Sequence, residues 1–597
     1  MKVTDYIAKR LKEYGVKDIF LVTGGGAMHL NDSLGKAFNC ICNHHEQACA
    51  IAAEGYSRVT GKLGVVNVTS GPGGLNTLTG VCGQWTDSVP VLYLSGQVKF
   101  ETTIHSCPEI KGLRQLGDQE TDIVSVVKPI TKYAVMLVKA EDVRYELEKA
   151  IYLATSGRPG PVWIDVPLNI QGASVDETKL RSFKANIETT KQPAQKDIDE
   201  IVQKLRSAKR PVILAGHGVR ISGAIGNFSK LLSNCNIPVV TTFNGIDILE
   251  EENPNYIGRF GTLGSRAGNF TVQNADVLIT IGTRNNIRQI SYNWDSFARE
   301  AYKIVVDVDD SELKKPTLVP DLAICADANE FILQLNKAFG NITDLHSEWL
   351  AWCKERKNKY PTVLPEYYNQ KDSVHPYVFM NSLSDKMKEG DICVTGNGTA
   401  CVVAFQVMKV KKRQRIFWNS GCATMGYDLP AAIGACAANN KNSVICLAGD
   451  GSVQMNLQEL QTIVHNKLPV KIFYLNNQGY VSQRQTQDSF FNSYRIGSDA
   501  ASGVSFPNII KLGQVYGFRT FHIANYSQVD EIITEVLTCN EPVLCEVMLP
   551  YEYKFSPKLA SKKLDDGRMV SSPLEDLFPF LDREEFDRNL IIKEWKP

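Results

Sequence analysis

Two short polar motifs at the ends of apolar runs carry the strongest chemical signal in the sequence. Residues 449–452 read GDGS after the run VICLA, and residues 475–477 read LNN at the end of the run VKIFYL. A carboxylate oxygen, an amide oxygen and the backbone carbonyl of Gly479 suit a small hard cation such as Mg²⁺, which also takes phosphate oxygens. Gly449 and Gly451 would let the backbone and a following helix N-terminus approach a diphosphate. Together the motifs predict a site for Mg²⁺ and a diphosphate, whereas either one alone would be an ordinary turn.

Parallel strands must position these motifs, because the carboxyl ends of parallel strands meet at one edge of a sheet, where ligands bind in open α/β folds. Runs rich in Val, Ile and Leu recur between helical patterns such as DVRYELEKAIYLATS; examples are VVNVTS, PVLYLSG, PVWIDVP, PVILAG and VLITIG. Such runs are typical of strands that are buried on both faces of a parallel sheet. The predicted fold class is therefore α/β, with doubly wound parallel sheets.

Two polar segments divide the chain into three predicted domains and a tail. Residues 171–197 contain no strand-like run and are predicted to be a linker, and residues 340–374 contain a helix rich in Trp, Lys and Glu followed by a second crossover. The tail shows little periodicity, which leaves an ordered wrap and a flexible arm both open. The predicted divisions are 1–172, 190–345, 370–550 and a tail at 551–597.

Composition excludes several classes of protein. Of the 597 residues, 43% are hydrophobic and 22% are charged, which argues against a disordered chain or a small disulfide scaffold. The 65 Lys and Arg residues balance the 65 Asp and Glu residues, so no basic excess points to nucleic acid or to an anionic membrane. The 15 cysteines show no zinc-like spacing and favour a reducing compartment, which predicts the cytoplasm. We expect neither a membrane span nor a secretory signal.

The paired motifs resemble those of the thiamine diphosphate enzymes, and segments in order along most of the chain resemble the acetolactate synthase large-subunit family. These segments include VTGGGA, HEQ, TSGPG, DSVPVLYLSGQV, RPGPVWIDVP, TMGY, LPAAIGA and GDGS. The resemblance implies an N-terminal pyrimidine-binding domain, a central domain of the flavin type and a C-terminal domain that binds diphosphate and Mg²⁺. It also implies that thiamine diphosphate and Mg²⁺ are the cofactors.

The resemblance implies a catalytic role for Glu46, the acid of the HEQ segment. In this family such an acid hydrogen-bonds the cofactor's pyrimidine, whose own imino group then removes the thiazolium proton. A dry site would raise the pKa of Glu46 toward neutrality and favour this proton sharing. Gln119 and His29 are the other residues expected to be catalytic. Met425 matches the bulky apolar residue that holds the cofactor bent.

The remaining expected contacts belong to the pyrimidine-binding and diphosphate-binding edges of the first and third domains. The metal ligands implied are Asp450, Asn477 and Gly479. The cofactor contacts implied, besides Glu46 and Met425, are Gly25, Pro72, Asn76, Asn397, Gly398, Thr399, Ala400, Ala423, Gly449, Gly451, Ser452, Asn477, Gly479 and Tyr480.

A flavin site in the middle domain is a further implication of the resemblance. Gly216 and Gly218 match a glycine turn near the nucleotide, Arg284 and Arg288 match a pair of arginines, and Asp327 matches an acid near the adenosine. Arginines can pair with a diphosphate through two hydrogen bonds, which gives a physical reason to find them there. Many relatives keep this domain without flavin, so the sequence leaves the presence of flavin adenine dinucleotide open.

Departures from the synthase pattern bear on the substrate. Arg484 stands where the synthases have Trp, Leu168 where they often have Lys, and Asp118 where they often have Phe. His29, His45, Gln119 and Arg484 would make the acceptor pocket more polar, and such donors reject partners that leave them unpaired. The predicted reaction is decarboxylation of a 2-oxo acid such as pyruvate and transfer of a two-carbon unit to a second carbonyl, with pyruvate and a keto-sugar both open as acceptors. A simple 2-oxo acid decarboxylase and a non-catalytic homologue are the alternatives.

Self-association is also expected. Glu46 and the metal motif lie in different domains, and in this family the cofactor bridges those domains from two chains. The resemblance therefore implies a homodimer with active sites at the subunit interface, or a homotetramer built from two such dimers.

Overall fold

The computed structural model describes residues 1–185, 191–340, 345–563 and 568–595. Within these residues the chain forms three six-stranded sheets, and every strand pair in them is parallel. Helices cover both faces of each sheet, which confirms the α/β fold class. The predicted boundary at residue 190 lies outside the described residues, and the predicted divisions between domains stay predictions.

In the first sheet the four central strands are buried, because helices pack on both sides of it, whereas the two edge strands are partly exposed. In spatial order its strands are Asn39–Cys42, Asp18–Leu21, Gly64–Val68, Val91–Gln97, Val162–Pro167 and Tyr133–Met136. Its helices are Val3–Glu13, Met28–Ala37, Glu46–Thr60, Pro72–Leu75, Leu78–Asp87, Ile123–Val127, Val143–Thr155 and Leu168–Gln171.

The middle sheet has a different strand order. In spatial order its strands are Leu322–Cys325, Tyr302–Asp307, Val277–Ile281, Pro211–Ala215, Val239–Thr241 and Tyr256–Arg259. Numbered along the domain and read from the opposite edge, which is formed by Tyr256–Arg259, this is the order 3-2-1-4-5-6, the arrangement of dinucleotide-binding folds. Its helices are Gln195–Ser207, Gly218–Ile221, Ile225–Ser233, Arg266–Gln273, Ile287–Ile290, Asp310–Leu313, Ala328–Phe339 and Ser347–Lys359.

The third sheet repeats the strand order of the first, 2-1-3-4-6-5. In spatial order its strands are Arg415–Phe417, Ile392–Thr395, Val444–Gly449, Val470–Asn476, Val543–Met548 and Arg519–Ile523. Its helices are Pro376–Lys386, Thr399–Val407, Asp428–Ala438, Asp450–Gln454, Glu459–His465, Val481–Phe490, Ile509–Tyr516 and Val529–Thr538. The two polar motifs therefore end adjacent strands of one sheet, as their spacing predicts.

Small residues join the first and third domains. The helix Glu46–Thr60 packs along the helix Asp428–Ala438. A methyl group at Gly55 would lie 2.2 Å from the carbonyl oxygen of Ala431, and one at Gly434 would lie 1.8 Å from that of Ala52. Only glycine allows the two backbones to approach so closely.

The described part of the tail packs on the protein rather than extending as a free arm: its first residues join the core of the third domain and later ones wrap over the middle domain. Leu574, Leu577 and Phe586 are buried. Glu575 is buried as well and pairs with Arg299 at 2.7 Å. The tail contains a short hairpin, Ser561–Lys563 with Met569–Ser571, and the helix Arg583–Asp587. Residues 564–567 and 596–597 of the predicted tail lie outside the described residues.

Candidate active site

The acid and amide of the two motifs meet at the carboxyl edge of the third sheet. One Asp450 carboxylate oxygen accepts the N–H of Gly479 at 2.9 Å, and the other accepts the N–H of Gly451 at 2.8 Å. Asp450 is only 2% exposed, and burial raises its pKa to about 6. The side-chain oxygen of Asn477 is also buried and has no hydrogen-bond partner within the described chain.

This donor set fits Mg²⁺. A buried oxygen without a partner is costly unless a cation or another donor satisfies it, and Mg²⁺ takes one or two carboxylates together with carbonyl, water and phosphate oxygens. Among the described residues no group of three or more His, Cys, Asp or Glu side chains could form a closed metal cage. Asp450, Asn477 and the carbonyl of Gly479 could therefore hold a magnesium ion whose remaining ligands come from a diphosphate and water.

Two glycines leave free space next to Asp450. A methyl group at Gly449 would meet no atom within 4 Å, and the same holds for Gly398, which precedes the helix Thr399–Val407 with a φ of +81°. Gly451, by contrast, lies against the ring of Tyr480, where a methyl group would come within 1.9 Å. Two helix N-termini and two open glycine turns thus face one region, an arrangement that favours a bound anion.

The segment around Met425 is held on both sides of that residue. The side chain of Asn397 donates to the carbonyl of Thr424 at 2.7 Å, and the N–H of Gly426 donates to Ser452 at 2.8 Å. Ala423 has a φ of +55°, in the left-handed region. Met425 itself is half-buried, so anchored neighbours present a partly open apolar side chain. Residues 420–426 are called the shelf segment below.

A buried charged network joins the shelf segment to the first domain. Arg58 donates to Glu54 at 2.9 Å and to Asp87 at 2.8 Å, and all three side chains are almost fully buried. Asp87 also accepts the backbone N–H groups of Ser420 and Gly421, each at 3.1 Å. Burial raises the pKa of Glu54, whose carboxylate lies beside the Arg58 guanidinium. The first residues of the shelf segment are therefore fixed relative to the first domain of the same chain.

The first domain brings its expected site residues to one edge, where they are more exposed to solvent than the motif residues of the third domain. The side chain of Asn76 donates to Glu46 at 2.9 Å. The carbonyl of Gln119, a residue with a φ of +63°, lies against the turn that precedes Pro72. Pro72, Asn76, Gln119 and Gly25 are exposed, and Glu46 is half-buried at the start of its helix.

Two histidines of the predicted acceptor pocket have specific surroundings. The ring of His45 accepts the N–H of Gln47 at 3.1 Å and so caps the helix that begins at Glu46. His29 is half-buried and lies against Gly172, where an added methyl group would be 3.0 Å from its ring nitrogen. One ring nitrogen of His45 is therefore used in helix capping, while His29 lies near the glycine loop that holds Gly25.

The prediction that Arg484 contacts an acceptor is wrong. Arg484 is 1% exposed and donates to the backbone carbonyls of Asn477 at 3.1 Å, Ser498 at 3.3 Å and Tyr551. Its guanidinium also lies 4.1 Å from the centre of the Tyr551 ring. The side chain is directed into the protein, because the loop after Asn477 leaves carbonyls that need donors.

The two glycines expected at a flavin lie in a turn that packs against the turn at Gly282. The N–H of Gly216 donates to the carbonyl of Ile281, and that of Gly218 donates to the carbonyl of Gly282. A methyl group at Gly216 would lie 2.2 Å from the carbonyl oxygen of Gly282. Neither N–H group is free to bind a diphosphate.

The other residues expected at a flavin also contact protein groups. Arg284 donates to the carbonyl of Thr86 in the first domain at 2.9 Å. The guanidinium of Arg288 lies 4.8 Å from the centre of the Phe243 ring. Asp327 caps the helix that follows it. Each of the five residues thus contacts protein groups, and a flavin at this place stays a prediction.

Sequence reasoning missed three residues of the site. Asp428 accepts from Ser452 at 2.5 Å, and burial raises its pKa to about 6. Asn456 donates to the carbonyl of Gly426 at 2.7 Å, and the hydroxyl of Tyr553 accepts from Asn477 at 3.1 Å. Asp428 lies two residues beyond the TMG motif and could have been inferred from it, whereas no local pattern marks the other two.

Family models and curated relatives agree with this architecture. The chain matches the N-terminal TPP binding domain, the central domain and the C-terminal TPP binding domain of thiamine pyrophosphate enzymes at residues 1–123, 198–335 and 396–547. Within the described residues, no helix combines the length and apolar character needed to cross a membrane.

Three relatives illustrate the similarity. The chain is 30% identical over 551 residues to acetolactate synthase isozyme 2 large subunit of Escherichia coli (strain K12), covering 92% of this chain and 96% of the relative. It is 32% identical over 551 residues to the acetolactate synthase large subunit of Lactococcus lactis subsp. lactis (strain IL1403), covering 91% and 92%. It is 30% identical over 579 residues to the chloroplastic acetolactate synthase of Arabidopsis thaliana, covering 94% and 83%.

Proposed function

The chain belongs to the acetolactate synthase family of thiamine pyrophosphate enzymes, and from that premise we propose that it is a carboligase. In the proposed reaction a 2-oxo acid, pyruvate in the first instance, loses CO₂ and its two-carbon unit is transferred to a second carbonyl compound. Thiamine diphosphate, when bound, supplies the electron sink that such a reaction needs. The proposal assigns the remaining tasks to residues of this chain.

The buried oxygen of Asn477 is the observation that carries the proposal. No described residue donates to it, and it lies beside the Asp450 carboxylate, next to the two open glycine turns. A magnesium ion held by these oxygens would fix a diphosphate against the helix N-termini at Gly398 and Gly449. Met425, fixed through Thr424 and Gly426, would support the cofactor from the shelf segment.

Glu46 is proposed to hold and return a proton at the cofactor's pyrimidine. A carboxylate does this best where water is excluded and its pKa lies near the working pH. In the single chain Glu46 is half-buried and its neighbours Pro72 and Asn76 are exposed. We therefore propose that a second copy of the chain covers this edge, which makes a homodimer the minimal active unit and allows a tetramer of two dimers.

The acceptor is proposed to bind near His29 and Gln119, beside the turn that carries Pro72. Arg484 is engaged elsewhere, so fewer polar side chains remain for an oxygen-rich acceptor than the sequence predicts. Pyruvate and a keto-sugar are the two acceptors to be compared. The reaction involves no net electron transfer, and the residues expected around a flavin contact protein groups, so no flavin step is included.

The state of the cysteines bears on the cellular compartment of the protein. All 15 cysteines are free, which fits a reducing compartment, and we propose the cytoplasm.

Product analysis tests the proposed function. Purified protein with thiamine diphosphate and Mg²⁺ is incubated with pyruvate alone and with pyruvate plus a keto-sugar, and products are identified by mass spectrometry. The proposal expects a new carbon–carbon bond in at least one mixture. Acetaldehyde as the sole organic product in every mixture would show a simple decarboxylase, and the absence of turnover with cofactor bound would favour a non-catalytic homologue. Visible absorbance of the same preparation shows whether flavin is present.

A further inference from the structure

The first residues of the tail pass beside the metal motif. After the strand Val543–Met548 the chain runs past the loop that carries Asn477, and the ring of Tyr553 joins the apolar core of the third domain. Tyr553 is 8% exposed, and rings of Phe555 and His375 lie edge-on to it. This tail residue is therefore part of the core on which the cofactor-binding edge rests.

The Tyr553 hydroxyl has two side-chain partners, and both belong to the proposed cofactor site. It accepts from the amide nitrogen of Asn477 at 3.1 Å and lies 2.5 Å from the hydroxyl of Thr399. Thr399 begins the helix that follows the open turn at Gly398. One phenol thus connects the proposed metal ligand with the proposed diphosphate-binding turn.

Chemistry decides which way the Asn477 amide must face. A cation requires the amide oxygen and is repelled by the amide NH₂ group. Because the NH₂ group donates to Tyr553, the oxygen is left on the other side of the amide, where it is buried without a partner. Partners that orient a ligand in this way are known to tune metal affinity in proteins.

Side-chain donors on the helix Val481–Phe490 fix the tail to the same loop. Arg484 donates to the carbonyls of both Asn477 and Tyr551. Gln485 donates to the carbonyl of Tyr553 at 2.7 Å. The tyrosine and the amide that it orients are therefore held on one rigid unit, so the hydroxyl keeps its position without relying on its own hydrogen bonds.

We propose that Tyr553 is a positioning residue of the metal site: its hydroxyl holds the Asn477 amide with the oxygen directed at the cation and ties that ligand to Thr399. This inference rests on the proposed thiamine diphosphate and Mg²⁺ site. It adds a tail residue to a site that the two motifs alone do not include.

The test compares Tyr553→Phe with Tyr93→Phe in the full-length protein freed of cofactor. Tyr93 is fully buried and its hydroxyl donates to Gln84 at 2.8 Å in the first domain, so the control also removes a buried phenol hydroxyl. MgCl₂ is titrated at a fixed concentration of thiamine diphosphate, and cofactor binding is followed by tryptophan fluorescence. Loss of an outer-shell partner costs roughly 10–100-fold in metal affinity, so we expect the half-saturating Mg²⁺ concentration to rise about tenfold in Y553F and to stay unchanged in Y93F.

The expected kinetic signature separates positioning from general damage. At saturating Mg²⁺ the turnover of Y553F should approach that of the unmodified enzyme, because the missing orientation is restored by mass action. An Mg²⁺ dependence in Y553F like that of the parent would overturn the proposal. If Y553F fails to fold, Thr399→Val removes the other hydroxyl partner, and no rise in the Mg²⁺ requirement of T399V would equally overturn it.

A third variant separates this inference from the proposed function. Asp450→Asn removes a proposed ligand itself. If D450N binds thiamine diphosphate with the Mg²⁺ dependence of the parent, the proposed site is wrong. If D450N loses binding while Y553F is unaffected, the site stands and only the role of Tyr553 is rejected.

Discussion

The two halves of the candidate active site differ in how completely one chain assembles them. In the third domain Asp450 and Ser452 are each 2% exposed, and the motif loop is tied by direct hydrogen bonds. In the first domain Pro72, Asn76 and Gln119 are exposed, and Glu46 has Asn76 as its side-chain partner. The half that would bind cofactor is preformed, whereas the half that would move a proton lies open until something covers it.

The difference separates two requirements of such a site. Holding a metal and a diphosphate needs fixed oxygens and N–H groups, which a single folded domain supplies. Proton transfer needs a carboxyl group in a dry environment, which a domain edge supplies only at an interface. The first and third sheets share one strand order, so the same scaffold serves both tasks and the side chains at its carboxyl edge decide which.

The largest expected effect follows from removing the acid of the open half. Glu46→Gln should lower kcat by about 10³-fold, because an amide cannot take up the proton, and proton-transfer groups contribute typically 10²–10⁴-fold. Cofactor binding should persist, since the buried half is untouched. Steady-state kinetics and a cofactor-binding titration check both statements. Glu141→Gln, at an exposed acid of the same domain, is the control; equal turnover in E46Q and E141Q would contradict the assignment.

Removing Asp450, the acid of the buried half, should weaken cofactor binding, which Glu46→Gln is expected to leave intact. Asp450→Asn is expected to weaken Mg²⁺-dependent binding of thiamine diphosphate by roughly 100-fold or more, beyond the cost of losing an outer partner. Calorimetry with MgCl₂ and thiamine diphosphate measures this. Asp530→Asn removes an exposed acid from the same domain and should bind normally. Strong cofactor binding by D450N would contradict the claim that the buried half holds the metal and the diphosphate.

The helix contact that joins the halves within one chain should be sensitive to a single methyl group. Gly434→Ala places that group 1.8 Å from a backbone oxygen, so something must shift. Overpacking costs typically 1–3 kcal/mol, and we expect about 3 kcal/mol here. Gly226→Ala, also on a helix but with no atom within 4 Å of the added methyl group, is the control. Chemical denaturation of both variants gives the comparison, and equal stability would show that the two helices are not in tight contact.

The smallest expected effect is a pH dependence that belongs to the buried half. Asp428 has its pKa raised to about 6 by burial, so the folded state binds a proton more tightly than the unfolded state. The associated stability is present below the ordinary Asp pKa near 4 and is lost as the pH rises toward 6. Asp428→Asn should flatten this part of the stability curve of the cofactor-free protein. An unchanged slope in D428N would assign the titration to another group.

Particular residues show what the sequence could and could not predict. The meeting of Asp450 with the Asn477 loop was predictable because each motif ends a strand, and strands separated by one helix become neighbours in a parallel sheet. The sheets themselves were predictable from runs buried on both faces. Arg484 was misread because its match to the Trp position of the synthases does not tell whether nearby backbone carbonyls need a donor. Tyr553 was missed because it reaches the site through the path of the tail, which no periodicity records.

The open half, which carries Glu46, also contacts the third domain of its own chain. Asn456 donates both to Gln47, which follows Glu46, and to the carbonyl of Gly426, which follows Met425. An arrangement in which Glu46 serves the shelf segment of its own chain is therefore a definite alternative to the dimeric site. Either arrangement would cover the carboxyl group.

Mixing two inactive variants tests the central claim most directly. E46Q and D450N are combined under conditions that exchange subunits, and turnover is measured with cofactor in excess. If Glu46 from one chain acts at the metal site of another, each mixed dimer contains one intact site, and activity should return to about a quarter of the parent value for random pairing in a symmetric dimer. If both residues act within one chain, no combination restores a complete site. Persistent inactivity of subunits that have been shown to exchange would contradict the account.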